Sequence, residues 1–306
     1  MRIRPSESRQ PPQLFHLCPC KNFGAGPTRH DVTEPKGTNS VDDINFACTT
    51  CGQCCHDLRL PLTIAEAIDW LKRGGQLEFL CEAIPWPVEP EPNNAQAAYK
   101  RARSSAAMSG TLPVRVSIIL TAAFAGACPN LRADMLCGIY DERPLVCRIY
   151  PAEINPFVPL VPKNKACPPE AWQTKPLQQQ GVLLDATTCQ LVRQSRLANQ
   201  SEAPLRMRIC RELGLDHAAL ANEGFVIHTP DREPLLAALE QCCASPLPDD
   251  ESAQWTFVSN RPTTMETLAS VGAIGCPDQS TADKTFRYRG FFPSSLGNGQ
   301  MSVDKR

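Results

Sequence analysis

The chain has 306 residues, 42% of them hydrophobic, and a formal net charge of −1. That is apolar material for one large or two modest cores, and the balance of charge makes no electrostatic case for nucleic acid or an anionic membrane. Two excesses remain: 29 prolines, nearly twice the usual ~5%, ask for long irregular connections, and 16 cysteines ask for sulfur chemistry.

The start, Met1-Arg2-Ile3-Arg4-Pro5, is basic but leads into polar and proline residues, so no secretory leader is expected. The longest apolar run, Ser117 to Ala127, is too short to cross a bilayer and reads as a buried strand. The expected location is the cytoplasm. There, clustered cysteines favour metal ligation; a disulfide framework is the alternative for an exported chain. Residues 1–44 read as a flexible arm, and its His16, Cys18 and Cys20 as incidental rather than an accessory site.

Next comes Cys48-Thr-Thr-Cys51-Gly52-Gln-Cys54-Cys55. Two-residue gaps let a short turning backbone wrap two sulfurs onto one ion, and Gly52 supplies the positive φ such a turn needs. The neighbours Cys54 and Cys55 diverge in any regular conformation. One of them therefore serves a second site or is a plain buried thiol, and the cluster needs sulfurs from further along. His56 is a weaker candidate ligand.

Thr63 and Glu66 form a capping box for a helix that Gly74-Gly75 stop, with Ile64, Ile68 and Leu71 on one face. This helix is expected to lie over the cluster. Cys81 reads as a core residue. Alternating prolines over 84–94 exclude regular structure, and a piece around 95–108 reads as helical. Val114, Val116 and Ile118 alternate as a strand. A hairpin-like turn at Arg132-Ala133-Asp134 would then bring Cys128 and Cys137 together across it. Pro144 opens and Pro151 ends a short helix that carries Cys147 between Arg143 and Arg148. Cys167-Pro168-Pro169 closes the second group.

These residues together, Cys48-x-x-Cys51-Gly52-x-Cys54-Cys55, Cys128-Pro129-x-Leu131, Cys137-x-Ile139-Tyr140-x-x-Arg143-Pro144-x-x-Cys147-Arg148-x-Tyr150-Pro151 and Cys167, resemble the YkgJ-type cysteine-cluster family, also written CxxCxxCC. The resemblance covers about residues 44–170 and implies a zinc- or iron-chelating domain with no settled activity. The proline-rich insertion between the two cysteine groups departs from the family's compact form. The flagellin lysine-N-methylases have a similar cysteine pattern, which implies an alternative of iron–sulfur redox or S-adenosylmethionine-linked methyl transfer. No residue beyond the cysteines matches a methyl-donor site.

Eight sulfurs suit two zinc ions with four thiolates each, or one four-cysteine iron–sulfur cluster with the remaining thiols structural or at a second site. Soft ligands exclude magnesium and calcium. Arg143 and Arg148 are placed to offset the formal −2 charge of a zinc tetrathiolate, and Tyr140 and Tyr150 to pack over the site. The metal ion is the expected partner; a protein partner stays unknown.

Beyond the cluster, Pro204 to Gly214 reads as a helix, Asp216 as the cap of a second that stops at Gly224, and 225–228 as a short strand. Asp231 caps a third helix whose stripe includes Leu235, Leu239, Cys242 and Cys243 as core. Cys189, Cys210 and Cys276 take no assignment. The expected fold is α+β, mainly helical with a few short strands and long loops. It divides into an arm (1–44), a cysteine-cluster domain (45–172), a helical region (173–245) and a largely disordered tail (246–306).

Overall fold

The structure, a computed structural model, describes residues 43–244, 253–277 and 286–292. His16, Cys18 and Cys20 lie outside the described residues, as does the side chain of Cys243. The strands and helices in chain order begin with β1 (Ile44–Asn45), β2 (Arg59–Pro61), α1 (Ile64–Lys72), β3 (Leu77–Pro85), α2 (Ala95–Ala102), β4 (Ser105–Ser109) and β5 (Leu112–Ala123). There follow α3 (Leu145–Ile149), β6 (Pro176–Gln179), β7 (Val182–Leu183), α4 (Ala186–Ser201), α5 (Ala203–Glu212), β8 (His217–Leu220) and β9 (Gly224–His228). The last elements are α6 (Arg232–Ala244), β10 (Thr256–Ser259), α7 (Pro262–Ser270), β11 (Gly275–Pro277) and β12 (Phe286–Gly290).

The architecture is α+β but not mainly helical: helix accounts for 35% and strand for 27% of the described residues, and a nine-stranded sheet organises them. Its axis is the antiparallel pair β3–β5, in register from Leu77↔Ala122 to Pro85↔Val114. The other edge of β3 is shared. Phe79, Leu80 and Cys81 pair with β9, whereas Glu82 and Ala83 pair with β8. The parallel run β8–β10–β11 then extends the sheet, and β2 and β4 divide the outer edge of β5.

The missed strands have a common cause. β3 is buried from Leu77 to Cys81 without a break, Glu78 included; Leu80 and Ile84 interrupt the face that carries Glu78 and Glu82, so the period-two alternation that marks a half-buried strand is broken. In β8 the sequence His-Ala-Ala-Leu favours helix by propensity. Yet Ala218 and Ala219 are fully buried, held in a sheet whose pairing overrides that preference. Asp216 therefore caps no helix; its Oδ1 lies 2.6 Å from His217 Nδ1. Between 246 and 306, where little order is expected, β10, α7, β11 and β12 are regular, and β10 packs Phe257 and Val258 into the interior.

Helices α1, α5 and α6 cover one face of the sheet, contributing Leu71, Ile209, Leu235 and Leu239 to a core with Phe79 and Leu120. Local sequence sets their ends. Thr63 Oγ1 accepts from Glu66 N–H while Glu66 Oε2 accepts from Thr63 N–H, a reciprocal cap worth about 1 kcal/mol. Pro204 sits in the first turn of α5 and Gly214, at φ 66°, follows its end. The buried Arg206 ties α5 to the sheet by donating to the carbonyls of Leu62 and Ile118, and Glu202 answers its charge at 2.7 Å. Among the described residues, no helix is long and apolar enough to cross a membrane.

The cysteine-bearing loops lie off this sheet. α3 packs on α4 through Leu145, Ile149, Leu191 and Val192. A small sheet, β1–β6–β7, fixes the chain on either side of the cluster.

Candidate metal centre

The loop around Gly52 turns as its sequence demands. Gly52 has φ 70° and leads into a single 3-10 turn, Gln53–Cys55. A Cβ there would come within 2.7 Å of Met135 Cε and 3.1 Å of Met135 O. The glycine is thus required twice, for its left-handed backbone and for the close approach of the second cysteine loop. Thr50 N–H donates to Cys48 Sγ at 3.4 Å. His56 Nδ1 lies 3.2 Å from Gly52 O, so one ring nitrogen of that candidate ligand is already engaged in holding the turn.

The second loop is pinned to the first where Cys128 N–H donates to Cys55 O at 2.7 Å. The expected return strand after Cys137 reduces to an isolated bridge, Leu131↔Cys137, closed by Gly138 N–H on Asn130 O at 2.7 Å. Met135, at φ 65°, makes the reversal. Burial pushes the Cys128 thiol up, with the backbone amides of Asn130 and Leu131 opposing it; the Leu131 N–H itself donates to Cys128 O at 2.8 Å.

Cys147 sits in the first turn of α3, where its N–H donates to Pro144 O at 3.0 Å. The turn has an anchor that the sequence does not advertise: Glu66 Oε1 accepts from Leu145 N–H at 2.7 Å. Cys167 comes to the first loop from the far side. Ala47 N–H donates to Ala171 O at 2.7 Å, Phe46 and Trp172 place their rings 5.0 Å apart, and Trp172 Nε1 donates to Cys167 O at 3.3 Å.

The eight candidate thiols are unpaired, Cys48 exposed and the others half-buried, and their mutual influence divides them. Burial and then the charges of Cys55, Cys167 and Cys48 push Cys54 up to about 12. Burial followed by Cys55, Cys128 and Cys137 pushes Cys147 up to about 12. Cys55 is raised by burial and by Cys128 and Cys137. Cys167 is raised by burial and by Cys48 and Cys51. Apart from the Cys54–Cys55 interaction that joins them, the thiols fall into two neighbourhoods: Cys48, Cys51, Cys54 and Cys167, and beside them Cys55, Cys128, Cys137 and Cys147. Among the described residues no three His, Cys, Asp or Glu side chains form a finished ion-holding group. The thiols are gathered but not closed into cages.

Each neighbourhood has a cation. Arg143 lowers the cost of charge on Cys55 and Cys147; it lies 3.7 Å over the Tyr140 ring and donates to Tyr140 O at 2.9 Å. Arg148 is exposed on α3. For Cys167 the cation is Lys165, which sequence reasoning passed over although it lies two positions away. Lys165 pairs with Glu153 at 2.6 Å and sits over the Tyr150 ring. Tyr150 does more than pack: its hydroxyl oxygen accepts from Ala166 N–H at 3.0 Å and stands 3.6 Å from Cys167 Sγ. Tyr140 is exposed and serves as a platform for Arg143. Helix α1 reaches the site through Glu66 and through an Arg73–Glu142 ion pair.

The donor set fits a thiophilic metal. Eight soft sulfurs crowd where like charges oppose ionisation, and a bound cation would reverse that penalty. The remaining cysteines stand apart from this set. Cys81, Cys189, Cys210 and Cys242 are buried, and Cys242 Sγ lies 3.5 Å from Leu205 O. Cys276 belongs to β11.

A thiol-rich, metal-chelating domain is what these loops define. Residues 47–190, a little under half of the chain, match the model of the CxxCxxCC family, described as "Putative zinc- or iron-chelating domain". No curated protein and no solved structure matches the chain.

Proposed function

We propose that the domain holds two metal ions, each by four thiolates, and that these ions fasten the irregular loops of the front half to the sheet. Cys48, Cys51, Cys54 and Cys167 would take the first ion, and Cys55, Cys128, Cys137 and Cys147 the second. The observation that carries this reading is the division at Cys54 and Cys55. Adjacent and acting most strongly on each other, they otherwise neighbour different thiols, Cys54 with Cys167 and Cys48, and Cys55 with Cys128 and Cys137, as two tetrahedral sites sharing one turn would require. Arg143 and Lys165 would offset the excess negative charge of the tetrathiolates; Arg148, being exposed, would act at longer range.

Zinc is the metal that four-sulfur structural sites favour, since no ligand position is left open. It would supply cross-links and no redox chemistry. Unpaired thiols in this number suit a reducing compartment, and we place the protein in the cytoplasm. An iron–sulfur protein of redox or methyl-transfer type is the competing class, with the same sulfurs holding a cluster.

Anaerobic purification followed by metal and sulfide analysis tests the reading. A colourless protein with two equivalents of zinc is expected. A brown protein with iron and acid-labile sulfide would transfer the assignment to the iron–sulfur class, and a metal-free protein with cysteines joined as disulfides would refute both.

A further inference from the structure

A cleft separate from the thiols opens beside the proline-rich segment that follows β3. Its volume is about 740 Å³, within the range of small-molecule sites, and none of the candidate metal ligands lines it. Trp86 and Glu89 come from the segment, Ala97 and Arg101 from α2, Arg115 from β5 and Pro204 from α5. The walls are stiff. Pro85, Pro87, Pro90 and Pro92 fix φ and remove donors that could fold the segment on itself. The backbone N–H of Trp86 donates to Pro113 O at 2.8 Å and pins the segment to β5. Asn94 Oδ1 accepts from Ala97 N–H at 3.0 Å, which fixes the start of α2. A cleft held open in this way loses little conformational entropy when it is filled.

The charges along it do not balance. Trp86 Nε1 donates to Glu89 Oε2 at 2.9 Å, and Arg101 Nη1 pairs with Glu89 Oε1 at 3.0 Å, so both oxygens of that carboxylate are engaged. Arg115 has no such partner. Half-buried, it donates from Nε to Ser104 Oγ at 2.9 Å and from Nη2 to the carbonyls of Arg101 and Ser104. These acceptors are neutral. Among the described residues the guanidinium forms no ion pair, and its Nη1 makes no hydrogen bond. Burial first, and then the charge of Arg101, push Arg115 below its ordinary value, with Glu89 opposing them. The guanidinium stands 5.9 Å from the centre of the Trp86 ring. Glu91, the remaining carboxylate of the lining, is exposed. A guanidinium withdrawn from water is ordinarily met by a carboxylate or phosphate, and the protein supplies none here.

We propose that this cleft binds a small organic anion, a carboxylate or phosphate carried on a flat apolar ring, with Arg115 as its anchor. The anion would accept from Arg115 Nη1 in a charge-assisted hydrogen bond, and Arg101 would add attraction at longer range. The ring would lie among Trp86, Ala97 and the prolines, where it displaces water from apolar surface. The ligand thus brings the negative charge that Glu89, already shared, does not provide.

The test uses the full-length, metal-loaded protein and probes that share one ring: benzoate, phenyl phosphate and neutral benzamide, titrated by ligand-observed NMR. At least one anion should bind at millimolar concentration. Benzamide should bind at least about tenfold more weakly, the factor that a hydrogen bond to a charged group supplies. The tighter-binding anion identifies the class of ligand. Ala97→Trp fills the cleft and removes no hydrogen bond; it should abolish binding without changing metal content or melting temperature. Arg115→Gln should weaken anion binding at least about tenfold and leave benzamide unaffected. Because Arg115 also holds the carbonyls of Arg101 and Ser104, Ala97→Trp decides should that variant fail to fold. Benzamide binding as tightly as the anions, no binding by either anion, or binding unaltered in Ala97→Trp would overturn the proposal.

Discussion

Glu66 Oε1 accepts a hydrogen bond of 2.7 Å from the backbone N–H of Leu145, 79 positions further on. The same carboxylate closes the cap of α1 through Oε2. One side chain thus sets both the start of a core helix and the start of the turn that presents Cys147. The connection is physical rather than local. A carboxylate can accept several donors at once, and here they come from two parts of the chain that otherwise meet through few polar groups.

Glu66→Ala is therefore expected to cost about 2 kcal/mol, combining a lost cap with a half-buried N–H left unpaired. Glu66→Gln, which keeps one acceptor, should cost less. Urea denaturation of the metal-loaded proteins gives the ranking. Measured with a competing chelator, the alanine variant should release its more weakly held metal sooner; identical release would confine Glu66 to capping.

The two neighbourhoods of thiols make separable predictions. Cys54→Ser and Cys147→Ser should each lose about one of two metal equivalents, as a single missing thiolate empties its own structural site, and the double variant should lose both. Cys242→Ser should keep full occupancy, because that thiol is buried on α6 against Leu205. Inductively coupled plasma analysis of the purified variants settles the stoichiometry. Complete loss in either single variant would mean that the eight sulfurs act as one centre.

Gly52→Ala combines an unfavourable φ with a collision. The left-handed backbone alone costs about 1 kcal/mol or more, and the added methyl meets Met135 on both side chain and carbonyl. Weaker metal retention and a lower melting temperature are expected. Adding Met135→Ala should restore part of the loss but not all of it, because the carbonyl contact and the backbone strain remain.

Proton linkage should change sign with metal occupancy. In the metal-free protein Cys54 and Cys147 are each pushed up to about 12, against an ordinary thiol near 9. Between those limits the folded state holds protons that the unfolded state has released. Stability is then full below about pH 9 and falls as pH rises toward 12. In the loaded protein the thiolates must be free of protons, so stability falls as pH drops and metal leaves. Thermal melts across pH, with and without chelator, should show these opposite slopes.

What could be read from the sequence was what is encoded within a few residues. The Thr63–Glu66 cap, the turn at Gly52 and the cysteine spacing are all of that kind, and so is the helix opened by Pro204. The sheet was hidden because Leu80 and Ile84 interrupt the polar face of its central strand and β8 is rich in alanine, so pairing partners far away decide their conformation. Lys165 was within reach, as a cation two positions from a candidate ligand. The Glu66–Leu145 bond was not, since nothing in either segment points to the other.

The splitting of one edge of β3 between β9 and β8 bears on how the gene can be cut. A fragment ending at 190, where the family match stops, would strip Phe79 to Ala83 of their neighbours and leave a bare, greasy margin of unmet amides and carbonyls. Such a margin invites other chains to stack against it. Expression of that fragment should yield insoluble material whatever metal is supplied, whereas the intact polypeptide carries its own cover for the seam.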